Sequence, residues 1–311
     1  MSTSSSLVEV QITDGTARLS VNRPQTMNAL NPAVVFQLHQ AFRQAVAADE
    51  VRGVVLGGVG KAFVGGADIG FFLRNLAAGD VDRIIRFTVA GHALLDEIDM
   101  SAKPVVACVH GLAVGGGLEL ALACDRILVG PGATLGLPET GLGIYPGLGG
   151  TQRLPRRIGA GLAKWLIYTG KTLSAAEAQN LGLADQLLPE EDLNAAARKA
   201  IVAGGRSQPP PRSTELLQIE AFFQSHTVAE LLAGTADTQG NPRLIGAMRR
   251  IRGNAPIALR LAEWLIDEGS KRPLAEALQL EIDRLRELFS TRDAHEGLSA
   301  LGKRQPLFQG C

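Results

Sequence analysis

Cysteine is scarce in this chain, which holds only Cys108, Cys124 and Cys311. Their spacing fits no zinc finger or ribbon, and an odd count speaks against a disulfide framework. No metal is expected. Cys108 and Cys124 lie in apolar stretches, where small buried thiols in a reducing compartment are expected. Net charge is also missing, with 31 basic and 31 acidic residues. That leaves no footprint for nucleic acid, so an anionic ligand must be held by local charge or backbone donors. No apolar run is long enough to span a membrane, and no membrane partner is expected. The opening residues Met1 to Ser6 carry neither the basic nor the apolar region of a signal peptide, so the expectation is a cytoplasmic protein. There is no Walker loop and no Gly-x-Ser-x-Gly elbow. The run Gly130-Pro131-Gly132 fails as a dinucleotide fingerprint, because Pro131 spoils the loop. Five histidines are scattered, and only His110, at a strand end beside Gly111, stands out.

What is present is an ordinary globular composition, 46% hydrophobic and 20% charged over 311 residues. That length suits one large domain, or a core with an appendage. Two alternating runs, 8–13 and 16–21, flank Asp14-Gly15 and predict a hairpin. Asn31-Pro32 is a helix start, and Val35, Leu38, Phe42 and Val46 follow at helical spacing to about Ala48. Residues 51–56, 105–109 and 126–129 read as buried strands, and residues 81–98 as a helix. Ser174 with Glu177 forms a capping box. Strands linked by helices predict an α/β core with parallel pairing. Gly204-Gly205 and Pro209-Pro210-Pro211 mark a linker. Beyond it the pattern is helical, with one apolar stripe at Ala258, Leu261, Leu265 and Ile266 and another at Leu278, Ile282, Leu285 and Phe289. The expected division is a core over 1–203 and a helical region over 204–311.

The 36 glycines cluster at Gly65-Gly66, Gly115-Gly116-Gly117, Gly141 with Gly143, and Gly147 with Gly149-Gly150. Such clusters are either separate turns or places where a ligand meets the backbone closely. Two N–H groups aimed at one point would form an oxyanion hole. Glu119, in Gly-Gly-Gly-Leu-Glu-Leu-Ala, is the one charged residue between His110 and Asp125. Glu139 is likewise surrounded by apolar residues and glycines. A carboxylate in such surroundings costs stability unless it is paired or used, and burial raises its pKa. The alternative for the two is a helix surface residue and a loop cap. Asp68, in Gly-Gly-Ala-Asp-Ile, reads better as a helix cap than as a catalytic group.

Six motifs in order resemble the enoyl-CoA hydratase, or crotonase, family. They are Asn22-Arg23-Pro24 with Asn28-Ala29-Leu30, the run from Ala62 to Ile69, Lys103-Pro104-Val105-Val106-Ala107, Gly111 to Ala123, Pro138 to Gly143, and Pro146 to Arg153. The resemblance covers residues 22–187 and resumes at Glu296-Gly297-Leu298-Ser299-Ala300. It implies an α/β crotonase-like ββα spiral core, two sheets, and a C-terminal helical region that builds a homotrimer or a hexamer of two trimers. It also implies an acyl-CoA substrate, with coenzyme A part of that substrate and no separate cofactor. Matching the motifs gives the oxyanion donors as Gly65 and Gly116. The CoA contacts fall on Val64, Gly66, Ala67, Asp68 and Ile69, with Lys303 or Arg304 near the phosphates, and Gly147 orients the acyl group or a water. Glu119 and Glu139 match the two acids of the hydratases, Glu119 as base toward water and Glu139 as proton donor to C2.

The sequence departs from that pattern in two places. Gln25 stands where many hydratases carry a lysine, and residues 211–252 look inserted, similar to a segment of 3-hydroxyisobutyryl-CoA hydrolases. Those hydrolases usually lack the acid matching Glu119 and carry an aspartate at the position of Gly147, so the site residues favour hydration. The rivals are a Δ3,Δ2-enoyl-CoA isomerase, such a thioester hydrolase, and a CoA-binding pseudoenzyme.

Overall fold

The computed structural model describes residues 6–205 and 208–311. It is an α/β protein of ten strands and fourteen helices among the described residues. The strands are β1 (Val8–Thr13), β2 (Thr16–Val21), β3 (Gly53–Gly58), β4 (Ala62–Val64), β5 (Val105–Val109), β6 (Leu112–Val114), β7 (Arg126–Val129), β8 (Thr134–Gly136), β9 (Thr172–Ser174) and β10 (Gln186–Leu187). The helices are α1 (Pro32–Ala47), α2 (Ile69–Ala77), α3 (Val81–Asp99), α4 (Gly116–Leu122), α5 (Gly150–Ile158), α6 (Ala160–Thr169), α7 (Ala175–Asn180), α8 (Leu193–Ala203), α9 (Thr214–Ser225), α10 (Val228–Ala233), α11 (Pro242–Ile251), α12 (Pro256–Gly269), α13 (Leu274–Phe289) and α14 (Arg292–Ala300). The chain forms two compact units. The first comprises Met1–Asp68, Ala90–Leu135 and Leu173–Pro210, and the second Ile69–Val89, Gly136–Thr172 and Pro211–Cys311. These units interleave along the chain.

The first unit holds a six-stranded sheet in the order β1-β2-β3-β5-β7-β10. The hairpin β1–β2 is antiparallel, and the remaining pairs are parallel, as in Leu19↔Leu56 and Ala107↔Ile127. Parallel strands covered on both faces read as continuous apolar runs, as Val105–Val109 does with every residue buried. Helix α8 covers one face, packing Leu193, Ala197 and Ile201 on Val55, Val106, Cys108 and Leu128. Gly53 permits this approach, since a Cβ there would stand 2.5 Å from an Ile201 methyl. Cys108 is part of that core, and burial pushes its thiol up to about 12. Helix α1 starts as expected, with Asn31 Oδ1 accepting the Val34 N–H at 2.9 Å. The second sheet has the order β4-β6-β8-β9. Its strands have three residues each, too short for alternation to mark them in sequence.

In the second unit α5 leads into α6, and α9 packs on α6 closely enough that a Cβ at Gly161 would stand 2.2 Å from the Glu220 carbonyl oxygen. The segment 211–252 thus contributes three capped helices to this unit, capped by Ser213, Thr227 and Asn241. Helix α12 buries Ala258, Leu261, Leu265 and Ile266, the stripe that the spacing predicts. Helix α13 differs by one position: Glu281 is buried and Ile282 is only half-buried. Phe71, Phe72, Phe87 and Phe289 fill one aromatic cluster, with ring centroids 5.2–6.0 Å apart. None of the described helices is long and apolar enough to cross a membrane.

Candidate active site

The first unit carries the glycine-rich segments 65–66 and 115–117. Strand β4 pairs with β6 in parallel, Ala62 opposite Leu112 and Val64 opposite Ala113. The chain then leaves β4 through Gly65–Ala67 beside Val114 and the first turn of α4. The approach is too close for side chains. A Cβ at Gly117 would lie 1.9 Å from the Val64 carbonyl oxygen, and one at Gly66 (φ +97°) 3.2 Å from that of Val114. Gly117→Ala is therefore expected to push α4 off β4. It should cost about 1–3 kcal/mol as overpacking, read as a lowered unfolding midpoint. The motif around Asn28 explains the opposite wall. Asn28 is fully buried and donates to the carbonyls of Ala62 (2.7 Å), Val59 (3.0 Å) and Phe63 (3.2 Å). Arg23 donates to Ala29 O at 2.6 Å and pairs with Asp68 at 3.3 Å. Asp68, read in sequence as a helix cap, directly precedes α2 and also takes part in this ion pair.

Backbone hydrogen bonding corrects the first oxyanion donor. The Gly65 N–H is already donated to Met27 O at 2.8 Å, so it is not available to a ligand. Leu30 donates to Gly66 O and accepts from the Asp68 N–H, both at 2.8 Å. These two bonds flank Ala67 on one side of the extended chain. By strand alternation the Ala67 N–H faces the other side, where β4 carries β6. Among the described residues neither the Ala67 nor the Gly116 N–H has a backbone acceptor. Gly116 is the first residue of α4, where an N–H without an intrahelical partner is expected. Glu119 lies in the same helix, 2% exposed. Val64 is fully buried and its carbonyl is packed against Gly117, so it offers a ligand no exposed surface, whereas Ala67, Asp68 and Ile69 are half-buried. His110 contacts Gly60 O through Nε2 at 2.9 Å and serves the turn between strands.

The second unit carries Glu139, Gly147, Lys303 and Arg304. Glu139 opens a 3-10 turn, Glu139–Leu142, and is 7% exposed. Its own carbonyl accepts the Ile144 N–H at 3.1 Å. The turn is locked into the C-terminal helices. A Cβ at Gly143 (φ +80°) would stand 2.1 Å from Asp293 O, and one at Gly297 2.3 Å from the Leu142 carbonyl. Gly147 lies three residues before α5. A Cβ there would meet only ordinary contacts, 3.5 Å to Leu285 and 3.7 Å to Tyr145. Lys303 and Arg304 follow α14 and are exposed. Arg304 is committed to an ion pair with Glu296, whose carboxyl it holds down to about 2. Lys303 makes no ion pair among the described residues, and of the two it keeps its charge available. No cluster of metal-ligating side chains occurs among the described residues.

The model of the enoyl-CoA hydratase/isomerase family matches residues 11–209. The chain is 33% identical to the crotonyl-CoA hydratase of Syntrophomonas wolfei over 294 residues, covering 94% of each chain. The chain belongs to the enoyl-CoA hydratase/isomerase family. It is 31% identical to the short-chain-enoyl-CoA hydratase of Clostridium acetobutylicum, covering 91% of this chain and 90% of that one. Among solved structures, an enoyl-CoA hydratase from Rhodobacter sphaeroides superposes with a TM-score of 0.86 at 29% identity, over 98% of this chain and 93% of that one. A carnitinyl-CoA dehydratase from Mycobacterium thermoresistibile gives the same TM-score at 25% identity, over 97% and 91%. The fold is thus that of enoyl-CoA hydratases. Sequence reasoning gave Ala67 as a CoA contact and the free strand-side N–H to Gly65, although the alternation within Gly65-Gly66-Ala67-Asp68 carried the signal for Ala67. It missed Thr140, Asn254 and Glu281, which lie far apart in the chain and share no motif.

Proposed function

We propose that this family member hydrates a 2-trans-enoyl-CoA reversibly to the 3-hydroxyacyl-CoA. The observation that carries this reading is the presence of two buried glutamates, Glu119 and Glu139, at both acid positions of the hydratase motifs. One carboxylate takes a proton from water while the water oxygen bonds to C3. The other carboxyl gives its proton to C2, so the double bond is consumed and both acids end with exchanged protonation states. Glu119 is assigned to the water and Glu139 to C2. Two such acids share one titration when they act together. Negative charge builds on the thioester oxygen during attack. The Ala67 and Gly116 N–H groups are suited to stabilise it, and each such donor lowers the barrier by roughly 2.7–4 kcal/mol. The half-buried run at Ala67, Asp68 and Ile69 and the unpaired Lys303 are the contacts offered to CoA. CoA enters as part of the substrate. A homotrimer, or two stacked trimers, belongs to the same reading.

The test is the enoyl-thioester absorbance with crotonyl-CoA. Rapid loss of the band with formation of the 3-hydroxy product is the expected result. An unchanged band sinks the hydratase reading. Thiol release from 3-hydroxyisobutyryl-CoA would then assign the chain to the hydrolases, and band appearance from a 3-enoyl-CoA to the isomerases.

A further inference from the structure

A 3-10 turn of four residues has too few internal bonds to hold its own direction, so the aim of Glu139 is set by what grips its neighbours. Thr140 is fully buried and gripped on three sides. Its hydroxyl donates to Ile167 O at 2.7 Å, and its carbonyl accepts the Ala255 N–H at 3.0 Å. The third grip is Asn254, whose Nδ2 donates to Thr140 Oγ1 at 3.2 Å and to Tyr168 O at 2.8 Å. Tyr168 lies in the last turn of α6, where carbonyls lack intrahelical donors. The amide thus uses both hydrogens to tie the turn to a helix end. Its Oδ1 also lies 3.3 Å from where a Cβ at Gly141 would be, so the side chain abuts two of the four turn residues.

We infer that Asn254 is a positioning residue that fixes the direction of the Glu139 carboxyl through Thr140. The inference rests on the proposed role of Glu139 as proton donor. Misplacement of a reacting group by about 1 Å costs roughly 100-fold in rate, so loss of this grip should appear in kcat. The experiment is a double-mutant cycle of Asn254→Ala with Glu139→Gln on crotonyl-CoA hydration. The expected result is a fall in kcat of at least about tenfold for Asn254→Ala, with KM within about twofold. In the Glu139→Gln background the same change should alter the residual rate by less than about twofold, because its effect passes through that carboxyl. Thr140→Val, which keeps the shape and removes the accepting oxygen, should behave alike and decides the matter alone if Asn254→Ala does not fold. An unchanged kcat, an effect confined to KM, or an equal loss in both backgrounds overturns the inference. If Glu139→Gln alone leaves kcat intact, the hydratase reading itself fails and the inference falls with it.

Discussion

Glu139→Gln is expected to lower kcat for crotonyl-CoA hydration by about 10²–10⁴, and Glu119→Gln to do the same. Glutamine keeps the volume and polarity of each side chain while removing the ability to take up or deliver a proton. Both residues are buried, 2% and 7% exposed, so bulk water is a poor substitute for either. In the proposed reaction the two act on one water and one double bond, so the double variant should lose little more than the worse single one. The two assignments separate on a 3-enoyl-CoA. Moving a proton between C2 and C4 can run on one carboxylate, so any turnover of a 3-enoyl-CoA by the wild type should survive Glu119→Gln and vanish with Glu139→Gln. The measurement is steady-state kinetics of each variant on both substrates. A Glu119→Gln enzyme at the wild-type kcat for hydration would remove Glu119 from the chemistry and leave hydration running on one carboxylate.

The fold was legible wherever an element was long enough to show a period. The hairpin β1–β2, the strands β5 and β7, the start of α1 at Asn31 and the capping box of Ser174 with Glu177 all appear at the residues that the spacing predicts. Strand β3 lies two residues later than expected. The Val51 N–H closes a turn onto Ala48 O, and the strand runs on through Gly57 and Gly58, which periodicity does not register. The four short strands of the second sheet escaped for the same reason. They are fixed by tertiary contacts such as the Asn28 amide on three carbonyls, which no local propensity encodes.

The site was legible in its residue types and less so in its geometry. Glycine at 65, 66, 115, 116 and 117 signalled close backbone approach, and the structure shows that approach at Gly66 and Gly117. Which N–H faces a ligand depends on strand parity and on who already holds each donor. The bond from Gly65 to Met27 settles that against Gly65. Lys303 and Arg304 look equivalent in sequence and differ once Glu296 claims the guanidinium. The residues that hold the Glu139 turn come from α6, from Asn254 and Ala255 just ahead of α12, and from α14, and only the folded chain brings them to it.

Glu281→Ala is expected to destabilise the protein by at least about 3 kcal/mol. Among the described residues four carboxylates are buried, those of Glu119, Glu139, Glu281 and Asp293, and composition does not tell their roles apart. Their hydrogen bonds do. Glu281, fully buried on α13, accepts the N–H groups of Gly149 (2.7 Å) and Thr151 (3.1 Å) and the Thr151 hydroxyl. These N–H groups belong to the first turn of α5, where donors have no helical partner and negative charge is favoured. Its carbonyl accepts the Tyr145 hydroxyl at 2.6 Å, and burial together with the Glu281 charge pushes that phenol well above its ordinary range. Truncation to alanine leaves two N–H groups and a hydroxyl in a dry site without their acceptor, at about 1–3 kcal/mol for each group. Glu281→Gln keeps the volume but turns an amide donor toward one of those donors, so it should lie between wild type and alanine. The measurement is the thermal unfolding midpoint, which should fall by about 5–15 °C for the alanine variant. A midpoint within about 1 °C of wild type would show that α5 needs no anion at its start. Glu119→Gln and Glu139→Gln are expected to remove turnover without such a fall, which separates the glutamates that do chemistry from the one that holds the loop in place.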